Sequence, residues 1–290
     1  MFKKLSELRQ SLIYELKHIR LVRILAFPFL MYSRNKSWKR YQNSEDRAYI
    51  KGLKHKHAGG RCFIIGNGPS LSPRDLDNIK DECCFGTNRI YHIFDKTDWR
   101  PVYYVSVDLD VIGNEVTSIE GADIKEKFIY DVARSHFVNG RLRNNKSNIH
   151  FIRINWTFAL KKNKTPCLTF SKDVSNYFTN YYTVTCTCIE LAIYMGFKEI
   201  YLLGVDHNYP VQLLEDGTII RDPSVKTYFD GMQGGERIAV QPVDAVNKSY
   251  AVCKEYADAH GIKIYNATRG GKLEIFERVD FDKLMRDRKL

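Results

Sequence analysis

Between residues 58 and 290 the chain alternates short apolar runs with amphipathic stretches, and most of the apolar runs end on polar residues. The first run, Cys62–Ile65, empties into Gly-Asn-Gly-Pro-Ser. "CCFGTNRIY" from Cys83 reads as strand and turn, and "PVYYVSVDLDVI" from Pro101 as a strong β run. "KFIYDVA" from Lys127, "NIHFIRINW" from Asn148, "EIYLLGVD" from Glu199 and "IKIYNAT" from Ile262 are further strands. Leu76–Ile79 begins a short helical stretch. Residues 183–195 have helical spacing closed by Gly196, and residues 244–260 repeat it with Gly261 at the C′ position and Asp244 as N-cap. Continuous apolar strands alternating with helices predict an α/β, Rossmann-like, mostly parallel sheet covered by helices on both faces.

That architecture picks out the candidate site. In open parallel sheets, ligands bind beyond the carboxyl ends of the strands. Five strand ends here are polar: Gly66-Asn67-Gly68-Pro69-Ser70, Thr87-Asn88-Arg89, Asp108-Leu109-Asp110, Asp206-His207-Asn208-Tyr209 and Asn266-Ala267-Thr268. Gly66 and Gly68 permit positive φ, and free amides there could cradle a phosphate; a tight turn is the plainer explanation. The motif is neither GxGxxG nor a Walker loop. Asn88 could read a base or ribose through its paired donor and acceptor, or serve as a turn residue. Asp108 and Asp110, on one side of a strand, could hold a divalent cation or a sugar hydroxyl, or else cap a helix. Asp206 beside His207 could raise the basicity of the imidazole for general-base work, although a lone histidine is more often structural. The glycine-rich stretch Lys226–Pro242, inside an excursion over about residues 210–243, reads as a lid over the site or as an ordinary long loop.

Charge separates a second region. Residues 1–57 hold 14 Lys/Arg and 4 Asp/Glu, a balance of 14 − 4 = +10 out of a total of +11. The body is therefore nearly neutral, which argues against a nucleic-acid-binding core. Leu5, Leu8, Leu12, Ile13, Leu16, Ile19 and Val22 form one apolar helical face, with Lys17, Arg20 and Arg23 beside or opposite it. The densest apolar run, Ile24–Tyr32, is far short of the roughly 20 residues a bilayer requires, and Pro28 interrupts it. This basic amphipathic extension suits an anionic membrane surface, or equally a helix packed on the body or on another subunit. The 7 cysteines form no CxxC pair, and no apolar leader opens the chain, so the expected setting is the cytoplasm, peripheral at the inner face of the membrane. No pattern fixes the oligomeric state, and an oligomer is compatible.

"FIIGNGPSL", "TNRIY", "YYVSVDLDV", "GFKEIYLLGVDHNY" and "NATRGG" together resemble the Rossmann-like family of the 6-hydroxymethylpterin diphosphokinase MptE-like proteins. The same family supplies the central domain of the Maf flagellin glycosyltransferases. It is similar to the bacterial lipooligosaccharide sialyltransferases, a GT-A-like variant using CMP-sialic acid. The resemblance covers roughly residues 60–275. It implies that Asn67, with Gly66 and Gly68, meets the nucleotide phosphate, that Asn88 contacts the cytidine, and that Asp108 lies near the ribose and sugar. Thr183 to Thr185 would contact the donor, and Tyr209 or Asn208 the phosphate. The general-base histidine of the sialyltransferases has no counterpart in "IAVQPVDAVN"; an ungapped match lands near Asp244, leaving Asp244 or His207 as base. "DHNY" and "NATRGG" fit the MptE-like branch, whose metal-dependent pyrophosphoryl transfer from ATP would employ Asp108 and Asp110 with magnesium. The leading expectation is a glycosyltransferase moving a sugar, a nonulosonate from a CMP donor, to a cell-surface glycan or lipid-linked acceptor, with no other cofactor. The alternatives are an ATP-dependent diphosphokinase and a non-catalytic nucleotide-binding partner of a glycosylation complex.

Overall fold

The computed structural model describes residues 36–138, 148–155, 168–229 and 240–287. The amphipathic face at residues 5–32 lies outside them, as do residues 230–239 of the expected lid. The chain divides into two compact units, Met1–Arg47 and Ala48–Leu290. Among the described residues no helix is long and apolar enough to cross a membrane.

The second unit is built on one eight-stranded sheet in which every neighbouring pair is parallel. The strands β1 (Arg61–Ile65), β2 (Cys84–Thr87), β3 (Tyr103–Ser106), β4 (Glu126–Tyr130) and β5 (Ile149–Ile152) run outward in sequence order. The chain then returns to the other side of β1 with β8 (Glu199–Leu203), followed by β12 (Lys263–Asn266) and β13 (Glu277–Arg278). Cys62–Ile65, Phe128–Tyr130 and Ile200–Leu203 are buried, as strands covered on both faces must be.

Helix α6 (Val184–Tyr194) packs across β1, β2 and β3 and against α7 (Val243–Ala259), which in turn packs on β12. The shorter helices of the outward run are α2 (Pro73–Asn78), α3 (Leu109–Asn114), α4 (Val116–Gly121) and α5 (Arg134–Val138). Crossovers between parallel strands are right-handed, so reversing the direction of travel at β1 places this set on the opposite face from α6 and α7. Gly196 and Gly261 follow the two long helices at φ +93° and +64°, as their positions after each helix predicted.

Two segments differ from the sequence reading. Residues 101–112 are half strand and half helix: β3 stops at Ser106, and the Asp108 carboxylate accepts from the amides of Asp110 (2.9 Å) and Val111 (3.3 Å) to start α3. Asp108 and Asp110 thus share no strand face; one is a helix cap and the other an exposed first-turn residue. The excursion after β8 is not a plain loop either. β9 (Val211–Leu213), β10 (Ile219–Arg221) and β11 (Gln241–Pro242) form a small sheet in the order β10-β9-β11. The remaining elements are the pair β6 (Ile154–Asn155) and β7 (Phe178–Thr179), α1 (Glu45–Gly52) and the terminal α8 (Phe281–Arg286).

One polar side chain is fully buried inside α6. Glu190 accepts from the amides of Ser171 (2.7 Å) and Thr179 (2.9 Å) and lies 2.8 Å from the Thr179 hydroxyl and 3.0 Å from that of Tyr181. The Thr179 hydroxyl donates to Thr169 O at 2.6 Å, so it can accept a proton from Glu190. Burial raises the Glu190 pKa to about 7, against the lowering effect of its hydrogen bonds. Because the folded pKa lies above the unfolded one, the stabilisation is fully present below about pH 4.5 and is lost as pH rises through about 7. Its full size is on the order of 3 kcal/mol. Glu190→Gln sets an amide NH2 against a backbone N–H at either oxygen position. It should lower stability by about 1–3 kcal/mol and flatten the pH 5-to-8 change in urea midpoint relative to the parent chain.

Candidate functional site

The strand order reverses between β1 and β8, and the loops leaving their carboxyl ends carry the candidate site. The two loops lie against each other. Gly66 N–H donates to Leu203 O at 2.8 Å and Gly68 N–H to Gly204 O at 2.9 Å. A Cβ on Gly66 would sit 2.3 Å from Gly204 O, and one on Gly68 would sit 1.7 Å from Asp206 Oδ2. Neither glycine has positive φ; the left-handed residue is Gly204, at +67°. The glycines of the first loop are thus required by the neighbouring loop. Their amides are spent on β8 carbonyls, which corrects the expectation that they cradle a phosphate.

Asp206 is the centre of this contact. Its Oδ2 accepts from the Ser70 hydroxyl at 2.8 Å, and its carbonyl accepts from Lys272 N–H at 2.7 Å. Gly271, at φ +73°, approaches so closely that a Cβ there would lie 2.7 Å from the same carbonyl. Loops from β1, β8 and β12 therefore converge on one residue. No cation pairs with Asp206 among the described residues. Burial raises its pKa above the ordinary carboxylate value, with the Ser70 hydrogen bonds acting the other way.

The other expected residues are each held by hydrogen bonds or burial. His207, at φ 49°, places Nε2 2.8 Å from Asn247 Oδ1 and Nδ1 3.2 Å from the Tyr209 hydroxyl. Since Asn247 Oδ1 can only accept, Nε2 carries the proton and Nδ1 takes the tyrosine hydrogen bond. Burial lowers the His207 pKa. The ring is therefore neutral, and both nitrogens are occupied. Asp244 is in the first turn of α7, not at its N-cap, and its carboxylate accepts from Glu215 N–H at 2.7 Å. Asn266 bridges Leu273 O and Thr268 N–H, and the Thr268 hydroxyl takes Val205 N–H. Thr183 caps α6 through Thr185 N–H, and Thr185 is buried.

Two amides present unsatisfied groups of opposite sense. Asn67 Nδ2 donates to Thr87 O (3.0 Å) and Thr87 Oγ1 (3.1 Å), while Thr87 Oγ1 itself donates to Ile65 O. A flipped amide would set two acceptors together, so the orientation is fixed. Asn67 Oδ1 is left buried with no partner among the described residues, as is Asn208 Oδ1. Asn88, at φ 46°, takes the Ser106 hydroxyl on Oδ1 at 3.3 Å, and its Nδ2 makes no hydrogen bond among the described residues. Asn67 therefore offers an acceptor and Asn88 a donor. Pro69 is exposed at the turn between Asn67 and Ser70. Of the expected residues, the switch point brings together Gly66, Asn67, Gly68, Ser70 and Asp206; Asn88 adjoins through Thr87.

Sequence reading gave Thr87, whose hydroxyl orients Asn67, no role of its own, and named Tyr228 and Phe229 only within the stretch read as a lid or an ordinary loop. Phe229 N–H donates to Asn67 O at 3.0 Å, and Tyr228 lies beside Arg89, 5.9 Å from guanidinium to ring centroid. Thr87 carried a usable signal, a hydroxyl residue at a strand end.

The fold and site define a doubly wound, fully parallel α/β protein with its polar groups gathered at the switch point. The chain belongs to the family of 6-hydroxymethylpterin diphosphokinase MptE-like proteins, which matches residues 38–212. Comparison with curated protein sequences gives no match. Among solved structures it is similar to the Maf glycosyltransferase from Magnetospirillum magneticum AMB-1, with 14% identity and a TM-score of 0.47 over 84% of this chain. The chain spans 40% of that protein's length. It is also similar to the Campylobacter jejuni sialyltransferase CstII in complex with cytidine-5'-monophosphate. That match has 16% identity and a TM-score of 0.42, and covers 77% of this chain and 85% of the other.

The loop contact yields a direct test. Gly68→Ala should cost more than about 3 kcal/mol or prevent folding, because the new methyl group meets Asp206 and a backbone carbonyl. Gly52→Ala, where nothing lies within 4 Å, should change stability by no more than about 1 kcal/mol in the same denaturant titration.

Proposed function

We propose that the protein is a glycosyltransferase that moves a sugar from a nucleotide donor to an acceptor hydroxyl. The observation that carries this reading is Asp206, a half-buried carboxylate without a cation partner at the switch point, its pKa raised by burial. Such a group suits a general base. The acceptor O–H proton passes to Asp206 as the acceptor oxygen bonds the anomeric carbon. The bond from that carbon to the phosphate oxygen breaks, and its electron pair leaves with the nucleotide. Asn88 Nδ2 and the acceptor atom Asn67 Oδ1 would orient the donor. His207, with both nitrogens occupied, would position the loop.

The donor class suggested by the sequence resemblance is a CMP-activated nonulosonate, and the acceptor a surface glycan or a lipid-linked saccharide. The distribution of exposed apolar side chains supports an acceptor with an apolar part. Among the described residues the large exposed hydrophobics are Leu109, Val132, Tyr182, Ile219, Ile220 and Val240. Leu109 and Val132 follow the carboxyl ends of β3 and β4, and Tyr182 precedes α6. The other three lie between β8 and α7. All border the sheet edge that carries the site. The basic composition of residues 1–57 suits an acceptor held at an anionic membrane surface.

Family membership favours a second reading, pyrophosphoryl transfer from ATP. Its magnesium ion finds a poor fit in Asp108 and Asp110, because the Asp108 carboxylate is engaged as a helix cap and Asp110 points away as a first-turn residue. Among the described residues no group of three His, Cys, Asp or Glu converges as a cation site.

A thermal-shift screen of CMP-sugars, UDP-sugars and ATP with magnesium separates the two readings, followed by turnover with the donor that binds. Asp206→Asn keeps an acceptor for the Ser70 hydroxyl. It should leave donor affinity within about threefold while lowering kcat by about 10²–10⁴-fold. Undiminished turnover in that variant removes Asp206 as base. Binding without turnover in the parent chain identifies a nucleotide-binding partner subunit instead.

A further inference from the structure

The switch-point amides leave the ligand's negative charge without a partner. Gly66 and Gly68 have spent their N–H groups on Leu203 and Gly204, and the Asn67 side chain offers only an oxygen. A nucleotide phosphate requires donors or a cation. Arg89, directly after Asn88, is a cation at the strand end next to this loop.

Arg89 is held rather than free. Its Nε donates to Glu115, which stands between α3 and α4, and the two side chains are only 12% and 15% exposed. Glu115 also takes the Tyr91 hydroxyl at 2.7 Å and His92 Nε2 at 2.7 Å. Burial opposes its ionisation, yet the hydrogen bonds from Tyr91, His92 and Arg89 hold its pKa below the usual carboxylate value. Glu115 is thus a charged clamp with three arms. It grips Arg89 by Nε, the inner nitrogen, and is the residue's sole carboxylate partner among the described residues. The guanidinium also meets Tyr228, 5.9 Å from its ring centroid, and a guanidinium fork is suited to bidentate phosphate contact. The next residue, Phe229, is hydrogen-bonded to Asn67. Two consecutive residues therefore join Arg89 to the glycine loop.

We propose that Arg89 is the anion-binding residue of this sheet edge, taking a phosphate of the nucleotide, and that Glu115 is its positioning residue. The clustering of one cation, one aromatic ring and amides of opposite sense at a single strand edge supports this assignment. It rests on the nucleotide-donor reading above for the identity of the ligand, but not for the anion site itself.

The test is isothermal titration of the full chain and its variants with CMP, ATP, cytidine and inorganic pyrophosphate. Arg89→Gln keeps a hydrogen bond to Glu115 and should fold; Arg89→Lys keeps the charge and loses the fork. In the parent chain, CMP or ATP should bind more tightly than cytidine, with an affinity that falls as salt rises. Arg89→Gln should weaken the phosphate-bearing ligands by about tenfold or more, leave cytidine unchanged and flatten the salt dependence. Arg89→Lys should recover part of the loss, and Glu115→Gln should weaken the same ligands by about three- to tenfold. If Arg89→Gln binds the nucleotides as the parent chain does, the assignment is wrong. Arg89-dependent binding of pyrophosphate without binding of any nucleotide keeps the anion site and overturns the nucleotide-donor reading. If the parent chain binds none of these probes, both fall.

Discussion

The candidate site depends on the missing side chains at Gly66 and Gly68. Only without Cβ atoms can the loop after β1 come within hydrogen-bonding reach of Leu203 and Gly204. That contact continues the pairing of β1 and β8 beyond the last residue of each strand. It brings Ser70 to Asp206 and leaves room for Gly271 to close on the Asp206 carbonyl. A carboxylate would ordinarily be costly to bury there without a cation. The Ser70 hydroxyl offsets part of that cost, and the remainder is stored as a raised pKa. The packing that closes the loops is thus also what raises the pKa of the acid.

The carboxyl edge around that point is held by polar contacts more than by apolar ones. Glu190 fixes the segment carrying Ser171, Thr179 and Tyr181 onto α6. The next residue, Tyr182, is hydrogen-bonded through its amide to Ser249 of α7. Two residues before Ser249 on the same helix, Asn247 takes Nε2 of His207 and so fixes the loop after β8. Side-chain hydrogen bonds, joined through the backbone at residues 181–182 and 247–249, thus link the buried glutamate to the residue beside Asp206. Irregular backbone cannot satisfy its own polar groups, so side chains such as these must do so.

Much of the sheet was legible in the sequence, because buried parallel strands are continuous apolar runs with polar ends. Cys62–Ile65, Glu199–Leu203 and Lys263–Asn266 stand where their patterns place them. Residues 101–112 misled because a strand passing straight into a helix shows no break in hydrophobicity; only the Asp108 carboxylate marks the junction. The location of the glycine loop was legible, but the reason for its glycines was not. That reason is Asp206, a partner 136 positions away from Ser70. The sense of Asn67 was hidden likewise, since it depends on the Thr87 hydroxyl. Glu115 lay beyond any motif, one further strand and one helix after the arginine it holds.

The two asparagines narrow what this edge can recognise. Had Asn67 been free to rotate, its donor side could have met a phosphate, and the loop would behave like other glycine-rich phosphate cradles. Thr87 removes that freedom by accepting both Nδ2 contacts, so only Oδ1 remains, and a phosphate oxygen placed against it would be repelled. Asn88, one residue beyond Thr87, keeps its donor. A ligand that satisfies both must donate at one point and accept at the next, as a hydroxyl-bearing sugar or the edge of a nucleobase does and a bare phosphate does not. On the proposed nucleotide-donor reading, negative charge would be met elsewhere on the edge. The glycine motif would then gather recognition groups around Asp206, with the charge left to a side chain outside the motif.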